Sequence, residues 1–214
     1  VDSEGNEIWN NYFGGEYDDE GFDIIQTQDA GYAIVGFHKD WHATYGWEWD
    51  IVLLKIDNSG EQLWQRIISS EYDDVYENAF SLLETSDGSF VLSGRQYGSG
   101  ESANVLLLKM GSEGNDIWTK TFAVGSNNSG QSVKETADGG FIICGETEVV
   151  GSGAQIFLIK TDSNGELVWS NHYGGSGNEA GFDVVQVEDQ GFVAAGYTYT
   201  DTNGESDYYV LKTD

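Results

Sequence analysis

The sequence predicts an all-β fold: a four-bladed β-propeller of four-stranded antiparallel blades, with the ring closed by pairing of its N-terminal and C-terminal strands. Three observations carry that expectation. The first is a repeat. KTDSNGELVWSNHYGG from Lys160 returns as VDSEGNEIWNNYFGG from Val1, KIDNSGEQLWQRIISS from Lys55 and KMGSEGNDIWTKTFAVG from Lys109. Its tryptophans, Trp9, Trp64, Trp118 and Trp169, stand 51 to 55 residues apart. A unit this short cannot bury its own apolar face and must stack on its neighbours, so residues 1–214 are expected to form one domain of four repeats. The second observation is periodicity, which suits short strands throughout and a helix of useful length nowhere. The third is phasing: the chain opens on a fourth strand, residues 7–13, and closes on a third, residues 208–213. Joined, the two ends would complete one blade.

The period from Gly130 shows each element. Residues 131–136 form a short strand, ADGG at 137–140 a turn, and FIICG at 141–145 an apolar strand. A loop over 146–154 leads to a third strand at 155–162, and DSNG turns into a fourth strand at 166–173. Asp opens such turns because its carboxylate accepts backbone N–H groups, and Gly closes them because it adopts positive φ without a Cβ clash. TQDAGY, TSDGSF and VEDQGF mark the first turn of the other periods. The chain contains no proline, so glycine, Asp and Asn make the turns.

The combination KTDxxGxxxWxxxYGG, then a TxDGGF turn and a strand ending in glycine, resembles the β-propeller repeats of secreted and cell-surface bacterial and archaeal proteins. The turn before each tryptophan also resembles the Asp-box hairpin of sialidase-type propellers, with one extra residue in the spacing. The resemblance spans the whole chain and implies a propeller at an extracellular or cell-surface location. It does not select an activity, because propellers serve as lectins, adhesion modules, spacers and enzymes. Ser69 and Ser70 stand where Gly-Gly is expected, and Met110-Gly111 replaces Thr-Asp, so the four turns are not interchangeable.

Composition narrows the partners. Acidic residues number 37 against 9 basic ones, a formal charge of −28, which repels phosphate backbones and anionic lipid surfaces. Nucleic acid is excluded as a partner on that ground. Membrane insertion is not expected either, since no run approaches the 18 apolar residues that a spanning helix requires. A start at Val1 rather than Met suggests a processed or excised piece. The single Cys144 fits no disulfide framework and, at a position taken by Val35, Ser93 and Ala195 in the other repeats, is expected to be a core thiol. With only Arg66 and Arg95, the chain lacks the arginine cluster that a sialidase needs for its substrate carboxylate.

Residues fixed in every repeat read as scaffold. Lys55, Lys109, Lys160 and Lys212 share one position and are expected to pair with a nearby acid; the four tryptophans are expected to pack blade on blade. Features that vary carry more information. Aligning the repeats places Asp19, Glu77, Asn128 and Glu179 at one position and Asp23, Ser81, Ser132 and Asp183 at another, beside further acids such as Asp73 and Asp74. Both sets could ring the channel mouth with oxygen ligands, so Asp19, Asp23, Glu77, Glu179 and Asp183 are the candidate metal residues and Ca²⁺ the candidate cofactor. A solvated acidic rim is the simpler alternative. Residues 37–50, FHKDWHATYGWEWD, form the longest expected loop between second and third strands, and Trp41, Tyr45, Trp47 and Trp49 are the candidate ligand-binding residues. Aromatic faces flanked by Asp40, Glu48 and Asp50 suit a carbohydrate or a surface protein, with a cap over the ring as the structural alternative. His38 and His42 form a weaker candidate metal pair.

The expected function is therefore a non-catalytic extracellular binding or scaffold propeller, in an adhesin, lectin-like or surface-assembly role, with calcium as a candidate stabiliser. The alternative is a calcium-dependent carbohydrate-active enzyme using carboxylates at the channel mouth.

Overall fold

The computed structural model describes residues 3–42, 46–69, 75–98, 101–200 and 204–214, with the side chain of His42 outside that set. Blade 1 comprises β1 (Asp19–Gln26), β2 (Tyr32–His42), β3 (Gly46–Ile56) and β4 (Gln62–Ile68), hydrogen-bonded in that order. Blade 2 repeats the arrangement with β5 (Val75–Glu84), β6 (Phe90–Gly98), β7 (Asn104–Met110) and β8 (Asp116–Phe122). Blade 3 has β9 (Ser126–Glu135), β10 (Phe141–Val149), β11 (Gly153–Thr161) and β12 (Leu167–Tyr173). Blade 4 has three strands, β13 (Glu179–Gln186), β14 (Phe192–Thr198) and β15 (Asp207–Thr213). All pairings are antiparallel, and the four-blade, all-β architecture is the one the repeat predicts.

The first turn of each blade is built around one aspartate. In blade 3, Asp138 Oδ1 accepts the Thr136 hydroxyl at 2.5 Å and the Gly140 N–H at 3.1 Å, while Lys160 Nζ reaches both carboxylate oxygens at 2.9 Å. Lys55 meets Asp29 and Lys109 meets Asp87 in the same way, at 2.9 and 3.0 Å, and Lys212 meets Asp189. The partner expected for the repeated lysine is thus the acid of the first turn. Lys55 and Lys160 are buried, and each also donates to the carbonyl of the following residue.

The glycine that ends the apolar core of each second strand has a separate cause. At Gly36, Gly94, Gly145 and Gly196 a Cβ would lie 1.7 to 1.9 Å from a carbonyl oxygen of the first strand. The first strand carries a β-bulge there, between Gly21 and Asp23 in blade 1 and at the equivalent places in blades 2 to 4. Bulge and glycine together let the innermost strand press onto the second.

Three apolar clusters hold the blades face to face. Val35 and Leu53 meet Leu92 and Leu106 between blades 1 and 2. Val105 and Leu107 meet Ile143 and Phe157 between blades 2 and 3. Cys144 and Leu158 meet Val184 and Ala194 between blades 3 and 4. Cys144 is wholly buried and burial pushes its thiol up to about 12, as suits the core thiol expected of it. Each tryptophan reaches across to the next blade's first apolar residue: Trp64 to Phe90, Trp118 to Phe141 and Trp169 to Phe192, with ring centroids 5.8 to 6.0 Å apart.

Two expectations need correction. Residues 7–13 form no strand, and β15 has no partner beyond β14 among the described residues, so the terminal pairing that would close the ring is not seen. The segment instead lies on blade 1, with Trp9 against Tyr32 and Asn11 Nδ2 donating to Gly60 O at 2.7 Å. The three apolar clusters join blade 1 to 2, 2 to 3 and 3 to 4, and none among the described residues joins blade 4 to blade 1. The second correction is local. Residues 37–42 and 46–50 continue β2 and β3, paired through Trp41 and Trp47, because alternating side chains let the two strands extend past the core.

Candidate functional site

The β2–β3 arm carries an aromatic platform with two solvent-exposed tryptophans. Strand periodicity puts Trp41, Lys39, Trp47 and Trp49 on one face, since Trp41 pairs with Trp47 and Lys39 with Trp49. Trp41 and Trp47 pack edge to face with centroids 5.0 Å apart, and Tyr17 packs on Trp47 at 4.9 Å and 86°. Both tryptophans stay open to solvent, 50% and 40% exposed. Lys39 Nζ sits 4.6 Å from the Trp47 centroid and 5.5 Å from that of Trp49, while pairing with Asp18 at 3.0 Å. Trp49 is half-buried and leans on Tyr76 of blade 2.

The acids expected to flank the aromatics lie on the other face of the arm. Asp40 pairs with Glu48, and His38 with Asp50, one residue out of phase with the tryptophans. A period of two turns a sequence alternation into two opposite surfaces, one aromatic and one acidic. Tyr45 lies outside the described residues, as do Asp73 and Asp74. Lys39 and Tyr17 did not figure among the candidates; a strand reading of the arm would have placed Lys39 with the tryptophans, whereas nothing in the sequence marks Tyr17.

Beside the arm, a groove of about 300 Å³ runs along the first and second blades, lined by Phe22, Phe37, Trp49, Phe80, Arg95 and Tyr97. The Arg95 guanidinium lies 5.7 Å from the Phe80 ring and 5.3 Å from that of Tyr97. Burial raises Asp50 above its ordinary value, with Glu48 adding to the effect. Burial also raises Glu77, against a lowering hydrogen bond from Gln96, and the charge of Asp50 adds to the rise.

The two aligned sets of oxygen-bearing residues have distinct structural partners. In the first set each member bonds within its own blade to the residue 19 positions later. His38 Nδ1 lies 2.6 Å from Asp19 Oδ1, and Gln96 donates to Glu77 at 2.5 Å. Thr147 donates to Asn128 at 2.5 Å, and Thr198 to Glu179 at 2.7 Å. Glu179, fully buried, also accepts the Thr200 hydroxyl and the Gly175 N–H; burial pushes it up, but these bonds outweigh that and hold it below its ordinary value.

The second set ties blade to blade. Asp23 accepts the Leu82 N–H at 2.8 Å, Ser81 the Val133 N–H at 3.4 Å, and Asp183 the Ser132 hydroxyl at 2.7 Å. Asp183 also pairs with Lys134 at 3.1 Å. Among the described residues, no three His, Cys, Asp or Glu side chains gather where they could hold a metal ion. Asp19, Asp23, Glu77, Glu179 and Asp183 are thus each met by donors of the protein. The His38 ring is turned to Asp19.

No family model matches the chain, and no curated protein matches it. Among solved structures, a protein of unknown function from Dyadobacter fermentans DSM 18053 superposes with a TM-score of 0.62 at 14% identity, over 88% of this chain and 51% of that one. Another, from Bacteroides caccae, gives a TM-score of 0.54 at 9% identity, over 97% of this chain and 64% of that one. A mannose phosphorylase from Leishmania mexicana overlaps at a TM-score of 0.45 and 9% identity, too low to bear on function. The likeness shows a shared β-rich fold, and the chain spans about half to two thirds of the length of the first two proteins.

Proposed function

We propose that this chain is a non-catalytic binding or scaffold propeller module of an extracellular or cell-surface protein, recognising a carbohydrate or a surface protein through the β2–β3 arm of blade 1. One observation carries the reading: Trp41 and Trp47 remain 50% and 40% exposed on a projecting hairpin, while the repeated Trp64, Trp118 and Trp169 pack on the next blade. Large aromatics left in water are the residue type most enriched at binding hot spots. Their flat faces suit the C–H faces of a sugar ring, and Lys39 supplies a donor at the platform's edge. The location rests on the sequence resemblance and the acidic surface. A glycan array probed with the chain, with and without calcium, tests this; binding lost in Trp41→Ala supports it, and the absence of any glycan or surface-protein binding refutes it.

A second reading, a calcium-dependent carbohydrate-active enzyme, draws support from the raised Asp50 and Glu77 carboxyls near the Arg95 groove. Two carboxyls of displaced pKa are what glycoside hydrolysis uses. Turnover of oligosaccharides that is abolished by Glu77→Gln would replace the first reading with this one.

A further inference from the structure

The β-bulge of each first strand leaves one residue out of register: Phe22, Phe80, Gln131 and Phe182 in blades 1 to 4. Directly after the glycine that ends the core of each second strand stand Phe37, Arg95, Glu146 and Tyr197. These two positions meet. Ring centroids lie 5.8 Å apart for Phe22 with Phe37 and for Phe182 with Tyr197, and the Arg95 guanidinium takes the same place beside Phe80 at 5.7 Å. Blade 2 thus puts a cation where blades 1 and 4 have a ring. Phe22 also packs on Phe80 at 5.6 Å, which brings blades 1 and 2 together at the groove of about 300 Å³.

Arg95 differs from the other cations in its partners. All seven lysines sit within 3.1 Å of a carboxylate, and Arg66 donates to two backbone carbonyls. Among the described residues Arg95 makes no ion pair: its Nε donates to Asn78 Oδ1 at a long 3.4 Å, and the Tyr97 ring flanks it at 5.3 Å. Rings attract a guanidinium, but they do not satisfy its N–H groups as a carboxylate would. Both Nη groups therefore remain open, in a chain where acids outnumber bases 37 to 9.

We propose that this groove binds a small monocarboxylate with a flat apolar body, the carboxylate forked on the Nη groups of Arg95 and the body lying against Phe22, Phe37 and Phe80. A planar guanidinium matches a carboxylate with two parallel hydrogen bonds, and apolar walls strengthen the pair by lowering the local dielectric. The neighbouring acids select one negative charge over two. Burial raises Glu146 of blade 3 and the Arg95 charge partly opposes it, while Glu77 and Asp50, which act on each other, adjoin the groove residues Asn78 and Trp49 in sequence. A dianion such as a phosphate monoester would meet a larger repulsion there. Trp41 and Trp47 do not line the groove, so the inference does not rest on the aromatic arm.

Phenylacetate, titrated into the full chain at fixed ionic strength and followed by backbone amide shifts, tests this. Saturable shifts centred on Phe22, Phe80 and Arg95 are expected in the millimolar range, with the neutral phenethyl alcohol and the cationic phenethylamine at least about tenfold weaker. Arg95→Gln should weaken phenylacetate by at least about tenfold, and Arg95→Lys by less, because it keeps the charge and loses only the fork. No saturable shift at millimolar phenylacetate overturns the inference, as do shifts centred away from the groove. Equal binding of the alcohol, tighter binding of the amine, or an Arg95→Gln chain that binds as before does so too. If Arg95→Gln fails to fold by circular dichroism, the three probes on the unaltered chain still decide.

Discussion

Lys160 Nζ holds both carboxylate oxygens of Asp138 at 2.9 Å, and this one pairing joins the first turn of blade 3 to its third strand. The lysine is buried and the aspartate largely exposed, with side-chain accessibilities of 7% and 66%. Removing the acid leaves a buried ammonium with one carbonyl partner. Asp138→Asn should therefore destabilise by about 1–3 kcal/mol. At the equivalent pair of blade 4, Lys212 is 54% exposed and keeps its water, so Asp189→Asn should cost clearly less. Chemical denaturation of the two variants decides this, and equal losses would refute burial of the lysine as the cause.

The same turns set the acid limit of the fold. The Lys55 hydrogen bond leads in holding Asp29 down to about 2, and the Thr136 hydroxyl followed by Lys160 does so for Asp138; both start from 3.8. A carboxyl depressed in the folded state contributes stability that is fully present above pH 3.8 and is lost as pH falls towards 2. Exposure of both carboxylates screens the effect, which keeps each contribution modest. The melting temperature should drop between pH 4 and pH 2, and Asp138→Asn should flatten that drop.

Turn geometry gives a prediction of opposite sign. The third residue of the first-turn loop has positive φ in all four blades: 66° at Ala30, 79° at Gly88, 78° at Gly139 and 70° at Gln190. Glycine takes this conformation freely, whereas other residues are strained by about 1–2 kcal/mol. Gln190→Gly should raise stability by about 0.5–1 kcal/mol after its greater unfolded-state entropy, and Gly139→Ala should lower it. A melting temperature unchanged by both would show that the surrounding bonds, rather than φ, set the turn.

Gly145 is a different case, because space and not φ demands it. A Cβ there would meet Ser129 O at 1.9 Å and the Phe157 ring at 2.8 Å. Gly145→Ala should cost about 3 kcal/mol, the upper part of the range for overpacking, with the protection of β9 amides from hydrogen exchange lost first.

The scaffold was legible because each blade repeats its solution: Trp64, Trp118 and Trp169 recur at one place, and the repeated lysine recurs with a first-turn aspartate 22 to 26 residues earlier. The aligned acids were legible as positions but not as roles. Asp19 and Asp23 are four residues apart, yet one bonds within its blade and the other to its neighbour, a difference that arises from the bulge between Gly21 and Asp23. Closure was not legible, because a period fixes how many blades a chain has, whereas the angle between blades comes from how residues such as Val35, Leu53 and Leu92 interdigitate. The arm was misread as a loop because its core-facing pattern ends at Ile51 and its alternation continues in aromatic, charged and histidine side chains instead of aliphatic ones.

That alternation separates two fates of tryptophan. Trp64 and Trp118 pack against Phe90 and Phe141, so either one replaced by Ala should cost about 3–5 kcal/mol, as loss of a core aromatic does. Trp41 meets Trp47 on a hairpin that projects beyond the core, and half of its surface is in water. Trp41→Ala should therefore shift stability by less than about 1 kcal/mol and abolish binding of whatever the arm recognises. Trp47→Ala should behave alike, with a somewhat larger stability loss because Tyr17 and Lys39 also rest on that ring. Measuring melting temperature and ligand capture on the same two variants separates a platform from a cap. If Trp41→Ala unfolds the chain as Trp64→Ala does, the arm is structural and recognition must lie elsewhere.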